Sequence, residues 1–419
     1  MSFVLHEPKP DYRYRYFGAF RLLLAALVML QHFAADLAPE PLATALAPYG
    51  EGSMAVLVFF ALSGFVITEA VDSCYRKRPG AFLVNRLLRI VPHFLIAVAL
   101  SMIAHEIFRA TGGLRLWRSH PSFPEDAFAI RNVLLNLIGI VPLADRFIDY
   151  NFLGITWAVR VEMAFYIVIC ACIAAGARIA APRGFALAAG GALVLAVPLF
   201  YFAVRGHGVA MLSFVPYFAF GSGLYFATAG GRAGWLVLLL SIPAIIWQRI
   251  AEHPPADRVG AIPPSVTGDL IVLIALLSVL VALAFANISK WRATDRFVGN
   301  LTYPLYLYHE VVLVVILTFT TGYSYSMFCV GILLSLLVAG ILMAVVEPAV
   351  TKYRDYVRGR SLQQFDDRVS EREAKPHSPM GSAGDWSPSG SVPYPVDQGL
   401  SVLRQIAPPA PTEDRWPII

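Results

Sequence analysis

The apolar positions of this chain fall in long unbroken runs, not in alternation with polar ones. Ten of these runs approach or exceed the roughly 18–20 residues that an α-helix needs to cross a bilayer core. They lie near 17–38, 52–72, 90–108, 153–175, 184–205, 209–228, 234–250, 267–288, 298–319 and 325–347. An eleventh run, "NVLLNLIGIVPLA" at 132–144, is too short to span. We expect it to form a re-entrant or interfacial helix on the outer side, its backbone satisfied by polar lining or protein contact.

Basic residues orient the runs. Lys9, Arg13 and Arg15 precede the first; Arg76, Lys77, Arg78, Arg86 and Arg89 lie between the second and third; Arg178 and Arg183 follow the fourth. Lys290, Arg292 and Arg296 precede the ninth, and Lys352, Arg354, Arg358 and Arg360 follow the tenth. With the N-terminus inside, every cluster falls on the cytoplasmic face, as the positive-inside rule requires. Were 132–144 to cross, all later clusters would move outside. The pattern therefore predicts an all-α polytopic membrane protein with about ten transmembrane helices, one re-entrant or interfacial helix and both termini cytoplasmic.

Three regions follow: a cytoplasmic segment over 1–16, a transmembrane domain over 17–350 and a cytoplasmic tail over 351–419. The polar start argues for a retained first helix over a cleaved signal peptide. The tail contains "EREAKPHSPMGSAGDWSPSGSVPYPVDQ", rich in Pro, Ser and Gly, and is expected to be mostly disordered because it has too little apolar surface to bury.

Composition agrees. The chain of 419 residues is 57% hydrophobic and 15% charged, against about a quarter charged in soluble domains. The net charge of +5 matters less than its placement beside the spans, and no nucleic-acid motif occurs. Cys74, Cys170, Cys172 and Cys329 have no metal-ligand spacing and read as small hydrophobes, not as a disulfide framework. No internal repeat of the kind that marks many transporters is found.

Ionisable groups inside a bilayer are costly, so each is a functional candidate. Arg21 and His32 in the first run are eleven residues apart. That is about 20° past three full helical turns, so they share one stripe, separated by about 16 Å along the axis. A snorkelling arginine and a histidine satisfied by a neighbouring helix would also account for them. Ser63 and Gly64 lie within the second run, where small residues permit close helix contact. Arg86 and Arg89, three apart, share a helix face at the basic end; they suit a topology signal or, as paired guanidinium forks, a phosphate. His93 fits an interfacial position.

In the fourth run Glu162 sits about 13 Å from the outer end, too deep for an unpaired carboxylate. Arg160 either pairs with it or snorkels outward, and Trp157 and Tyr166 suit interface or packing roles. In the ninth, Tyr303, Tyr306 and His309 recur every three residues as a polar ridge, with His309 about 17 Å from the cytoplasmic end and Glu310 turned 100° away.

In this order the residues resemble the acyltransferase 3 family of integral membrane proteins. The resemblance rests on Arg21 with His32 eleven positions on; on an FF-x-x-SGF signature at Phe59, Phe60, Ser63, Gly64 and Phe65; and on an R-x-x-R-I-x-P run at Arg86, Arg89, Ile90 and Pro92. It continues with "WAVRVEMAFY", carrying Trp157, Glu162, Phe165 and Tyr166, and "TYPLYLYH", ending at His309. The chain departs from the pattern at Gly18, where an acidic residue is common, and at Ala158 and Thr302, where serine is usual.

The resemblance implies O-acylation of a carbohydrate or lipid-linked glycan in a bacterial cytoplasmic (inner) membrane. Acyl-CoA, acetyl-CoA being the expected form, would be the co-substrate, with no permanently bound cofactor or metal. Partners would be acyl-CoA, the glycan acceptor and membrane lipid, not nucleic acid. On this reading His32, Glu162 and His309 are catalytic, with Glu162 fixing the His32 tautomer as the carboxylate of a triad does and His309 orienting or polarising the carbonyl. Arg21, Arg86 and Arg89 bind the donor, and Ser63, Gly64, Trp157, Tyr303 and Tyr306 line the site. The competing reading is a glycan transporter or flippase that uses an intramembrane His/Glu relay.

Overall fold

The computed structural model describes residues 15–46, 50–75, 77–111, 124, 126–178, 210–252, 264–286, 291–320 and 322–358. Its elements are α1 (Phe17–Asp36), α2 (Glu40–Leu46), α3 (Glu51–Ala70), α4 (Pro79–Thr111), α5 (Ile130–Leu137), α6 (Thr156–Arg178), α7 (Val215–Thr228), α8 (Arg232–Glu252), α9 (Pro264–Phe285), α10 (Arg292–Phe319) and α11 (Tyr325–Arg358). No strand occurs among the described residues. Eight of the helices are long and apolar enough to cross a membrane: α1, α3, α4, α6, α8, α9, α10 and α11.

These eight correspond to predicted spans one to four and seven to ten. The predicted span at 184–205 lies outside the described residues, as do 1–14 and 359–419. The predicted span at 209–228 is a 3-10 segment, Ala210–Phe214, leading into α7. The α-helical part, α7, has 14 residues, about 21 Å, and is not one of the eight; the 3-10 segment before it adds about 10 Å.

The most deeply buried spanning helix is α10, packed against α1, α4 and α11. A second layer places α3 against α1, α7 and α9. Outward faces carry apolar side chains at helical spacing, such as Leu236 and Leu240 on α8, Ile271 and Ile274 on α9, and Leu333 and Leu337 on α11. Such exposed rows suit lipid, which offers them no worse an environment than a protein core.

Because lipid supplies no hydrophobic drive between helices, close backbone approach must hold them. The α3–α7 crossing is of this kind. A Cβ on Gly64 would lie 2.2 Å from the Phe218 carbonyl oxygen, and one on Gly221 only 1.7 Å from that of Ala61. Gly64 is thus a packing residue. Gly18 plays the same part between α1 and α10, where an added Cβ would meet the Asp295 carbonyl oxygen at 1.9 Å. The acid missing at position 18 has a counterpart here. The Asp295 carboxylate accepts hydrogen bonds from the backbone N–H groups of Gly18 (3.0 Å) and Ala19 (2.8 Å), satisfying donors that the start of α1 leaves open.

Residues 132–144 contain no helix long enough to cross. The eight residues of α5 extend about 12 Å and are followed by turns. Asn132 and Asn136 are buried there. Their amides donate to the Ala127, Tyr150 and Asn132 carbonyls, and their carbonyls accept from the N–H groups of Asp149, Tyr150 and Phe152. The segment's ends should therefore lie on one side. With the four native cysteines replaced, Asp126→Cys and Asn151→Cys should label with an impermeant maleimide from the same face, and labelling from opposite faces would add a crossing to the fold.

Candidate active site

Five helices enclose a cavity. Arg21 reaches it from α1, Phe59 and Ser63 from α3, Arg86 and Arg89 from α4, Glu162 and Tyr166 from α6, and Thr302, Tyr303 and Tyr306 from α10. A wider mouth adjoins it at the end where α1 and α4 begin and α11 finishes. The two spaces share Arg21, Val66, Arg86 and Arg89, so three arginines stand at the neck between them. Arg15, Arg296, Arg354 and Arg358 also line the mouth, with Glu69 and Asp295 as its carboxylates. Arg15 forms an ion pair with Glu69 and lies over the Phe65 ring, 4.9 Å from its centroid. It is therefore a structural part of the bundle.

The arginines at the neck are held by packing. Arg86 is buried and its guanidinium rests over the rings of Phe82 and Tyr166, at 5.6 and 5.7 Å from their centroids. Its Nε has no protein acceptor among the described residues, and neither does the buried hydroxyl of Thr302. Buried donors are rarely left so. A cavity with unspent donors and a cationic neck can accept an anionic chain passing through it.

Glu162 is positioned differently from the sequence-based expectation. Its carboxylate accepts hydrogen bonds from the hydroxyls of Ser63 (3.1 Å) and Tyr166, the latter four residues on along the same helix. Among the described residues its hydrogen-bond partners are these hydroxyls and not an imidazole, so the triad-like pairing with His32 is not formed. Arg160 does not pair with it either: it is buried and donates to the Gly139 carbonyl at 3.2 Å, tying α6 to the turn after α5. Trp157, expected to line the site, is not part of the cavity wall: it is exposed and packs against Phe60 and Phe214, with ring centroids 6.1 and 5.6 Å away.

His32 meets His309 instead. Their ring centroids are 5.3 Å apart, with Phe33 closing one side at 6.2 Å from His309. His309 is fully buried, whereas His32 is half-buried. His309 Nδ1 lies 3.1 Å from the Leu305 carbonyl oxygen. A nitrogen facing a carbonyl must donate, which puts the proton on Nδ1 and leaves the lone pair of the neutral ring on Nε2. That Nε2 is buried and has no protein partner among the described residues.

The ridge read from the sequence connects the two regions. Tyr303 and Tyr306 line the cavity and donate to the Ile90 and Ile155 carbonyls at 3.2 and 3.3 Å. The Tyr306 ring is 6.2 Å from that of His309. The lined space thus ends about one helical turn short of the histidine pair.

Several residues were missed or undervalued. Glu310, facing away from the ridge, is buried and accepts from the N–H groups of Gly154 (2.7 Å) and Ile155 (3.2 Å), fixing the entry to α6. His93 is buried within the bundle, with Nδ1 3.3 Å from the Tyr308 hydroxyl. The Glu162–Tyr166 pair was open to reading as an i,i+4 contact. Asp295 had no such signal, since its partners lie 276 and 277 residues away.

No curated protein and no solved structure matches the chain. A family model described as an acyltransferase domain, Acyl_transf_3, matches residues 14–344, which include every helix around the cavity and both histidines. A chain with these membrane-spanning helices and this match over most of its length belongs to the acyltransferase 3 family of membrane acyltransferases.

Proposed function

We propose that the protein moves an acyl group, acetyl in the simplest case, from cytoplasmic acyl-CoA to a hydroxyl of a carbohydrate or lipid-linked glycan. The observation that carries this reading is a pair of adjoining spaces that share three arginines, an arginine-lined mouth and a largely apolar cavity reaching to within a turn of two facing histidines. The diphosphate of the donor would rest at Arg21, Arg86 and Arg89. Its pantetheine arm would extend past Ser63, Glu162 and Tyr303, and the thioester would lie beside His32. The separation of Arg21 and His32, about 16 Å along α1, is of the order of that arm's reach.

His32 would take the proton of the acceptor hydroxyl. The oxygen attacks the thioester carbon, the C–S bond breaks, and the departing thiolate receives the proton from His32. His309, buried behind it with a lone pair on Nε2, is suited to orient His32 and to stabilise it once protonated. This gives His309 the part that the sequence reading gave to Glu162. Glu162 is left to hold the donor arm through the hydrogen-bonded set it forms with Ser63 and Tyr166.

The test uses membranes carrying the protein, radiolabelled acetyl-CoA and a glycan acceptor. Acylated glycan is the expected product; glycan movement that proceeds without coenzyme A would replace this reading with a transporter. The neck makes a further prediction. Arg86→Ala and Arg89→Ala should each raise the apparent KM for acyl-CoA about tenfold or more, and lysine should restore little because it lacks the bidentate fork. An unchanged KM in both alanine variants would reduce the pair to a topology signal.

A further inference from the structure

The mouth carries more positive charge than its own contacts use. Seven arginines and two carboxylates line it. Arg15 is matched by Glu69, Asp295 caps α1, and Arg358 donates to Asp355 at 2.9 Å. Arg354, near the end of α11, stands apart. Its Nε donates to the Asn85 side-chain oxygen at 3.4 Å, and the Asn85 amide returns a bond of 2.8 Å to the Arg354 carbonyl. This reciprocal clamp on α4 fixes the arginine, while no acceptor among the described residues engages its two Nη groups. Arg89, Arg86 and Arg358 bring like charge near it, and Glu347 opposite charge. A guanidinium held beside other guanidiniums is well placed to receive an anion.

Position within the space says which part of an anion Arg354 meets. Arg21, Arg86 and Arg89 line both the neck and the cavity, whereas Arg354 lines the mouth and not the cavity. A donor threaded with its thioester inward passes its diphosphate through the neck, which leaves its outermost phosphate in the mouth. In coenzyme A that group is the 3′-phosphomonoester, carrying about two negative charges at neutral pH.

We propose that Arg354, clamped by Asn85, is the specificity-determining residue for the 3′-phosphate of the coenzyme A donor, a role that rests on the acyl-CoA reading above. The purified full-length protein, in detergent or nanodiscs, should bind coenzyme A about tenfold or more tightly than 3′-dephospho-coenzyme A by calorimetry. Arg354→Gln should remove that difference by weakening coenzyme A alone, with dephospho-coenzyme A affinity unchanged, which also reports that the variant is folded. Arg89→Gln should weaken both ligands together. If wild-type protein discriminates between the two and Arg354→Gln still does so equally, or if Arg354→Gln weakens both ligands alike, the proposal is overturned while the acyl-CoA reading stands. If wild-type protein binds coenzyme A and dephospho-coenzyme A equally, the 3′-phosphate is not read and the proposal is likewise overturned. If wild-type protein binds neither ligand, the acyl-CoA reading itself falls.

Discussion

His32→Ala is expected to abolish acyl transfer in a protein that still folds and inserts. Removal of a general base commonly costs about 10²–10⁴ in rate. Stability should change little, because His32 is half-buried and its principal neighbour is a ring, His309, at 5.3 Å between centroids. Two companion variants separate the roles argued above. His309→Ala should lower kcat with KM for acyl-CoA largely unchanged, since its ring is buried beyond the lined cavity. Glu162→Gln should act mainly on KM, since its carboxylate lies in the cavity wall bonded to Ser63 and Tyr166. Steady-state kinetics on protein of verified monodispersity makes the distinction. Near-normal turnover by His32→Ala would take the residue out of the chemistry, and a loss of kcat in Glu162→Gln as deep as that of His32→Ala would restore the carboxylate to it.

Gly221→Leu is expected to prevent the bundle from assembling. Even the Cβ would stand 1.7 Å from the Ala61 carbonyl oxygen and 2.6 Å from the Phe65 nitrogen. Both are backbone atoms of α3, so no side chain can yield; the helices must separate. Overpacking of this kind costs about 1–3 kcal/mol where side chains can shift, and more where backbone must move. Separating α3 from α7 would also disturb Ser63, which bonds Glu162 from the same helix. The control is Gly340→Ala on α11, where an added Cβ meets no atom within 4 Å. It should be neutral or slightly stabilising, since alanine is the better helix former by about 0.5–1 kcal/mol in water. Yield of monodisperse protein and melting temperature in detergent check both. Normal melting of Gly221→Leu would mean that α3 and α7 do not approach as described.

By itself the sequence determined the helical class, the positions of eight helices long and apolar enough to span and the shortness of the run at 132–144, because run length and freedom from charge are local properties that the bilayer reads directly. It also determined that Tyr303, Tyr306 and His309 share one ridge, since residues three apart on a helix have no other option. Which groups on different helices face one another was left to the tertiary structure. Glu162 lies at a depth compatible with His32, yet depth along an axis does not fix rotation about it, and the packing of α3 against α6 turned the carboxylate toward Ser63. The partner of His32 came from α10, 277 residues away in sequence. Asp295 caps α1 only because two glycines, Gly18 and Gly299, bring α10 and α1 nearly into backbone contact. Arg354 reads as one more topology signal until α11 is set beside α4 and Asn85 clamps it at the mouth. Local periodicity specified what each helix carries. The rotation and approach of helices, fixed by small residues and buried hydrogen bonds, decided which of those groups form a site.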